Sequence, residues 1–286
     1  MEKEYKSRSQ FKTVMMRLSK NKMALFGLCI LCALTFIAIF APILSPYSPT
    51  KQDLVNQFQP PSGQHIFGTD EFGRDVMTRI FFGARVSLLV GFISVGIALL
   101  IGGALGAIAG FYGGHIDNVI MRIMDVLLAI PQTLLAIAIA ASLGTGLFNL
   151  MIAVGISSVP TYARIVRASV MTIRGEEYVE AATASGTNNK KIITKHILPN
   201  CMAPVIVQVT LGMAGAILNT AGLSFIGLGI KPPQAEWGSM LSAGRDYIRT
   251  SPYLTLIPGI FIMITVLSLN LLGDGLRDAL DPKLKN

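Results

Sequence analysis

Five uncharged stretches alternate with short polar segments along this chain, and their lengths give the first reading. Residues 23–44 carry no charged side chain. At ~1.5 Å rise per residue they can cross the ~30 Å hydrocarbon core of a bilayer, so they are the expected first span. Residues 86–110 form the second, with Gly102, Gly106 and Gly110 every four residues as a seam for close helix packing. Residues 126–163 are too long for one crossing and are interrupted by SLGTGLFN at 142–149. That interruption predicts two helices joined by an outer turn, with kinks at Pro131 and Pro160. Residues 197–230 again exceed one span. The fifth helix is expected to end near Ala221, followed by a re-entrant or tightly turned outer segment, GLSFIGLGIKPPQAEWGSML, with Trp237 anchored at the interface. Residues 253–272 supply the sixth span. The pattern predicts an all-α integral membrane protein with six transmembrane helices.

The polar segments set the organisation. Residues 1–22 are basic, with Glu2 and Glu4 as the only acids, and read as a cytoplasmic flank to a first helix at 23–45. Residues 46–85 form an extracytoplasmic loop whose end repeats Phe72, Val76, Ile80 and Ala84 every four residues. This spacing predicts an amphipathic helix lying along the outer interface. Asp70, Glu71, Arg74 and Asp75 beside it are expected to act as caps and surface pairs rather than as acid–base groups. A five-helix core then runs over 86–276, and 277–286 form a cytoplasmic tail.

Composition sharpens this picture. The 286 residues are 52% hydrophobic and 14% charged, with a mean hydropathy of +0.58, outside the range of an ordinary soluble domain. The net charge of +8 does not indicate nucleic acid, because the basic residues cluster in particular loops. Of the 24 lysines and arginines, seven fall on the proposed outer side and the other 17 on the cytoplasmic side, as the positive-inside rule requires. Cys29, Cys32 and Cys201 give neither a disulfide framework nor a metal site. His65, His115 and His196 stand in separate loops, and the phosphate loop GxxxxGK[ST], HExxH and GxSxG are absent, so no catalytic site, metal site or cofactor is expected. The spans hold almost no ionisable residues, which argues against an ion-coupled transporter. Asp125, beside Arg122, and Asp274, near Asn270, are placed close to cytoplasmic helix ends as interfacial pairs.

One polar island stands out at 174–200, RGEEYVEAATASGTNNKKIITKHILPN. It reads as a helix over 176–185 with Glu176 and Glu177 in its first turn, where the helix dipole favours them. A left-handed Gly186 ends it, and a second helix is capped by Thr187 or Asn188. Lys190, Lys191 and Lys195 of that helix should face water. Ala181, Ala182, Ala184, Ser185 and Gly186 would present a low-profile side framed by Glu177, Tyr178 and Glu180.

Glu180-Ala181-Ala182, then Gly186, then Leu198-Pro199 resembles the EAA loop of ABC importer permeases. His196 stands where many members carry Ile, and KHILPN is similar to the peptide-importer branch. FGTDEFGRD at 67–75 and the segment from Leu223 to Leu241 (LSF, GLG, PP, WG, ML) resemble peptide and nickel importer permeases, whereas Thr220 replaces a frequent glutamate. The resemblance implies a type I permease fold in the inner membrane of a bacterium or archaeon, with both termini cytoplasmic. It implies a coupling helix carrying Glu177, Tyr178, Glu180, Ala181, Ala182, Gly186, Lys190 and Lys191. The implied partners are a homologous second permease, two ATP-binding cassette ATPases that hydrolyse the ATP, and an extracytoplasmic substrate-binding protein. Short peptides are the implied cargo; nickel chelates and glutathione remain alternatives, and no substrate-binding residue can be named.

Overall fold

A computed structural model describes residues 10–280; the first part of the basic flank (1–9) and the end of the tail (281–286) lie outside the described residues. A short helix α1 (Gln10–Leu18) precedes α2 (Lys22–Leu44). Asn21 starts α2, its Oδ1 accepting from the amides of Met23 and Ala24 at 3.1 Å each. One side of α2 (Gly27, Leu34, Ala38, Ala41) is buried, while Phe26, Phe36, Ile39 and Ile43 point outward to where lipid would lie.

The next helix departs from expectation. α3 (Val76–Tyr112) is a single helix of 37 residues, or ~55 Å, well beyond the hydrocarbon thickness. The helix expected to lie along the interface is its outer end. Val76, Ile80 and Ala84 are fully buried, packed against Trp237, Met240 and Leu254 rather than against lipid. Trp237, expected at the interface, has no exposure and donates its Nε1–H to the Ile80 carbonyl at 3.0 Å. An indole with its N–H satisfied loses nothing by full burial.

The charges beside α3 are also buried rather than on the surface. Asp70 Oδ1 accepts from the amides of Phe72 and Arg74, and its Oδ2 meets Arg74 Nε at 2.7 Å and Arg79 Nε at 3.4 Å. Asp75 caps α3 through the Thr78 amide and pairs with His65 Nδ1 at 2.9 Å. Arg79 also donates to the carbonyls of Pro49 and Pro233. Burial, with the nearby Asp70 carboxylate adding to it, pushes the Glu71 carboxyl above its ordinary range. The cluster ties the outer loop to α3 and to the turn at Pro233.

After α3, α4 (Gly114–Leu128) and α5 (Gln132–Leu143) meet at an 88° bend. Pro131 sits at that break, so the third crossing is a broken span that starts earlier than residue 126. α6 (Leu147–Arg174) runs through Pro160 without interruption. The glycine seam of α3 lies against it: a methyl on Gly102, Gly106 or Gly110 would meet the backbone of Val159, Ala163 or Arg167. After the polar island, α9 (Met202–Phe225) spans back, and an irregular turn leads to α10 (Trp237–Gly244) and α11 (Tyr253–Leu280). Among the described residues, five helices are long and apolar enough to cross a membrane, and the count is six where the bent α4–α5 pair is taken as one span.

Candidate functional site

The polar island begins where α6 ends at Arg174. α7 (Glu177–Ala184) follows, with Glu177 and Glu180 in its first turn. Gly186 has φ +75°, the left-handed region that favours glycine. Its amide donates to the Thr183 carbonyl at 3.0 Å, and the Thr187 amide donates to the Ala182 carbonyl at 3.1 Å. These two bonds form a Schellman cap that stops α7. Asn188 then starts α8 (Asn189–Lys191), its side chain accepting from the Lys190 amide at 3.0 Å. A π-helical segment (Ile192–Ile197) and a 3-10 turn (Leu198–Cys201) carry the chain into α9.

One side of this helix–turn–helix is anchored. Val179 of α7, Ile192 and Ile197 are buried in one apolar cluster with Val170 of α6 and Val205 of α9. α7 is therefore tied to both flanking spans through close-packed side chains. The opposite side is open. Glu177, Tyr178, Glu180, Ala181, Gly186, Lys190 and Lys191 are all exposed, and a Cβ built on Gly186 meets nothing within 4 Å. Ala182 differs from expectation: it is half-buried against the apolar cluster, because the residues after Val179 on the same helical face also turn inward. The Tyr178 hydroxyl reaches the His196 carbonyl at 3.5 Å, and partial burial, followed by the Glu176 carboxylate, pushes that phenol upward.

Several residues here were not marked by the sequence. A groove of about 640 Å³ lies beside α7, lined by Glu180, Ala184 and Asn189 together with Phe111 and Tyr112 of α3 and Arg174 of α6. Arg167 of α6 makes a two-pronged ion pair with Asp117 of α4, and Arg164 pairs with Asp125 at 2.7 Å. The partner of Asp125 is thus across the helix interface, not Arg122 on its own helix. The charges at 164, 167 and 174, spaced at helical intervals, were the available signal, but only packing selects their partners. At the outer face, Glu236 is buried at the start of α10, its carboxylate accepting from the amides of Gly238 and Ser239 at 2.7 and 2.8 Å. Burial raises that carboxyl, with the amides and nearby hydroxyls opposing the rise.

Residues 102–286 match the family described as binding-protein-dependent transport system inner membrane component. The chain belongs to that family. Residues 9–61 further match the N-terminal transmembrane domain of oligopeptide transport permease C. The permease is 51% identical to the dipeptide transport system permease protein DppC of Alkalihalophilus pseudofirmus, over 100% of this chain and 94% of that protein. It is 48% identical to the di/tripeptide transport system permease protein DppC of Pseudomonas aeruginosa, over 93% and 90%. It is 42% identical to the oligopeptide transport system permease protein OppC of Bacillus subtilis, over 98% and 92%. Its fold is similar to a chain from the inward-facing MetNI methionine ABC transporter, with a TM-score of 0.59, 17% identity, and coverage of 72% of this chain and 97% of that one. The protein is therefore a multi-pass permease subunit of an ABC importer in the inner membrane. A substrate-binding protein and separate ATP-hydrolysing subunits complete such a system.

Proposed function

We propose that this permease imports short peptides, pairing with a homologous second permease and receiving the ATPase stroke through α7 and α8. The observation that carries the coupling assignment is the two-sided build of the island. Its outer side is exposed and low in profile at Ala181 and Gly186, while its inner side is locked through Val179, Ile192 and Ile197 to α6 and α9. A surface that other backbone can approach closely, on a rigid mount, suits transmission of movement between subunits. Glu177, Tyr178 and Glu180 would meet the ATPase first, with Lys190 and Lys191 at the edge and Ala182 supporting from within. ATP-driven closure would then shift α6 and α9 together between two packed arrangements. The peptide cargo rests on the relatives, which carry dipeptide, di/tripeptide and oligopeptide in their names. The basic residues at 1–22 and 174–200 support cytoplasmic termini and a cytoplasmic coupling loop. Residues 46–75 would then lie on the extracytoplasmic side, with 76–85 as the outer end of α3, the core running on to 276, and 277–286 forming the cytoplasmic tail.

Mild-detergent purification from the native membrane, with mass spectrometry of what accompanies the chain, tests this reading. A second six-span permease, two ATPases and a binding protein loaded with peptide are expected. A chain that copurifies with ATPases but whose binding protein carries a nickel chelate or glutathione would overturn the cargo, and a chain that copurifies with no ATPase would overturn the coupling assignment.

A further inference from the structure

A cavity of about 1040 Å³ opens between α5, α9, α10 and α11, away from the coupling loop. Its wall is almost wholly aliphatic and contains no ionisable side chain. The polar side chains that line it are Thr133, Asn219 and Asn270. The two asparagines carry the only carboxamides on this wall. Other polar side chains on these helices, such as Thr210, Thr265 and Ser268, donate to carbonyls four residues back along their own helix. Among the described residues, Asn219 and Asn270 have no side-chain hydrogen-bond partner, although each carboxamide can both donate and accept. Both asparagines are half-buried and line the cavity, so a group that enters it can pair with them.

The geometry restricts that partner. α9 and α11 pack antiparallel, with Gly273 against Leu211 and Leu269 clustered with Ala214 and Ile217. In this register Asn270 lies level with about residue 214, some five residues from Asn219, which is ~8 Å along the helix axis. An extended peptide advances ~3.3–3.6 Å per residue, so the two carboxamides are spaced for peptide groups two to three residues apart. A lipid chain has no groups to satisfy them. A transmembrane helix has its own backbone groups satisfied internally, whereas a peptide in transit brings free N–H and C=O groups.

We infer that Asn219 and Asn270 are cargo-contacting residues that hydrogen-bond the backbone of the peptide as it passes through this cavity. The inference rests on the peptide reading above. Backbone contacts within an uncharged aliphatic wall bind many sequences weakly, which suits passage rather than retention.

The test uses the whole importer with its partner subunits in proteoliposomes, and radiolabelled trialanine as probe. Asn219→Leu combined with Asn270→Leu keeps side-chain size and removes the carboxamides. The double variant is expected to assemble, to leave trialanine affinity of the binding protein unchanged, and to lower uptake about tenfold. Uptake equal to the parent would overturn the inference. If the parent itself takes up no trialanine, the peptide reading fails and this inference falls with it. A second readout guards against loss of assembly. With Cys29, Cys32 and Cys201 replaced by Ala, an Asn219→Cys variant is labelled with a small polar thiol reagent. Slower labelling during trialanine turnover is expected; an unchanged rate in a transporting complex, or cross-linking of position 219 to the second permease, would overturn it.

Discussion

Gly186 allows the sharpest test of the coupling loop, because its two possible roles make different demands on a substitution. Its φ of +75° costs an L-residue roughly 1–2 kcal/mol, and a β-branched one most of all. A Cβ there meets no atom of this chain within 4 Å, so no internal clash adds to that cost. The two Schellman bonds from Gly186 and Thr187 are backbone bonds and can persist. Gly186→Val should therefore leave the spans folded and the protein in the membrane while raising the energy of the turn by that amount. If the ATPase packs closely on this surface, the isopropyl group meets the partner subunit, and cargo uptake together with cargo-stimulated ATP hydrolysis should be abolished. Gly186→Asn separates the two roles, since Asn tolerates the left-handed region but still places a side chain on the surface. Loss of uptake in both variants, with normal membrane levels, supports close docking; loss in Val alone makes the role one of turn geometry. Normal uptake and coupled ATPase activity in both would refute the coupling assignment.

Other perturbations follow from the same packing. Glu180→Lys reverses an exposed charge beside the groove along α7, and pull-down should show a weakened ATPase association; an intact, active complex would leave α7 merely solvated. Gly106→Leu drives a side chain into the backbone of Ala163, an overpacking cost of about 1–3 kcal/mol or more, so detergent-solubilised protein should aggregate at lower temperature in size-exclusion assays. Asp117→Ala leaves Arg167 without its carboxylate, at about 1–3 kcal/mol, and the melting of the double variant with Arg167→Ala should be less than the sum of the two single losses.

Much of this protein can be read directly from sequence, and the division follows from what each level of structure depends on. The bilayer makes hydrophobic length decisive, so the uncharged stretches located the crossings without knowledge of their neighbours. The island was equally legible, because its signals are local: a glycine that must adopt positive φ, an Asn that caps three residues of helix, and acids in a first turn. The fold changed what depended on distant partners. The stripe Val76, Ile80, Ala84 has the same period whether it faces lipid or protein, and only the return of Trp237 and Met240 from residues more than 150 positions later decided for protein. Asp70 and Arg79 looked like surface charges because sequence carries no depth, yet the outer loop folds over them and buries the pair. Asp125 had Arg122 close by in sequence, but helix packing put Arg164 within reach. The cavity with Asn219 and Asn270 belongs wholly to tertiary structure. Each asparagine alone is an ordinary polar residue in a span, and only the antiparallel register of α9 and α11 places both on one wall.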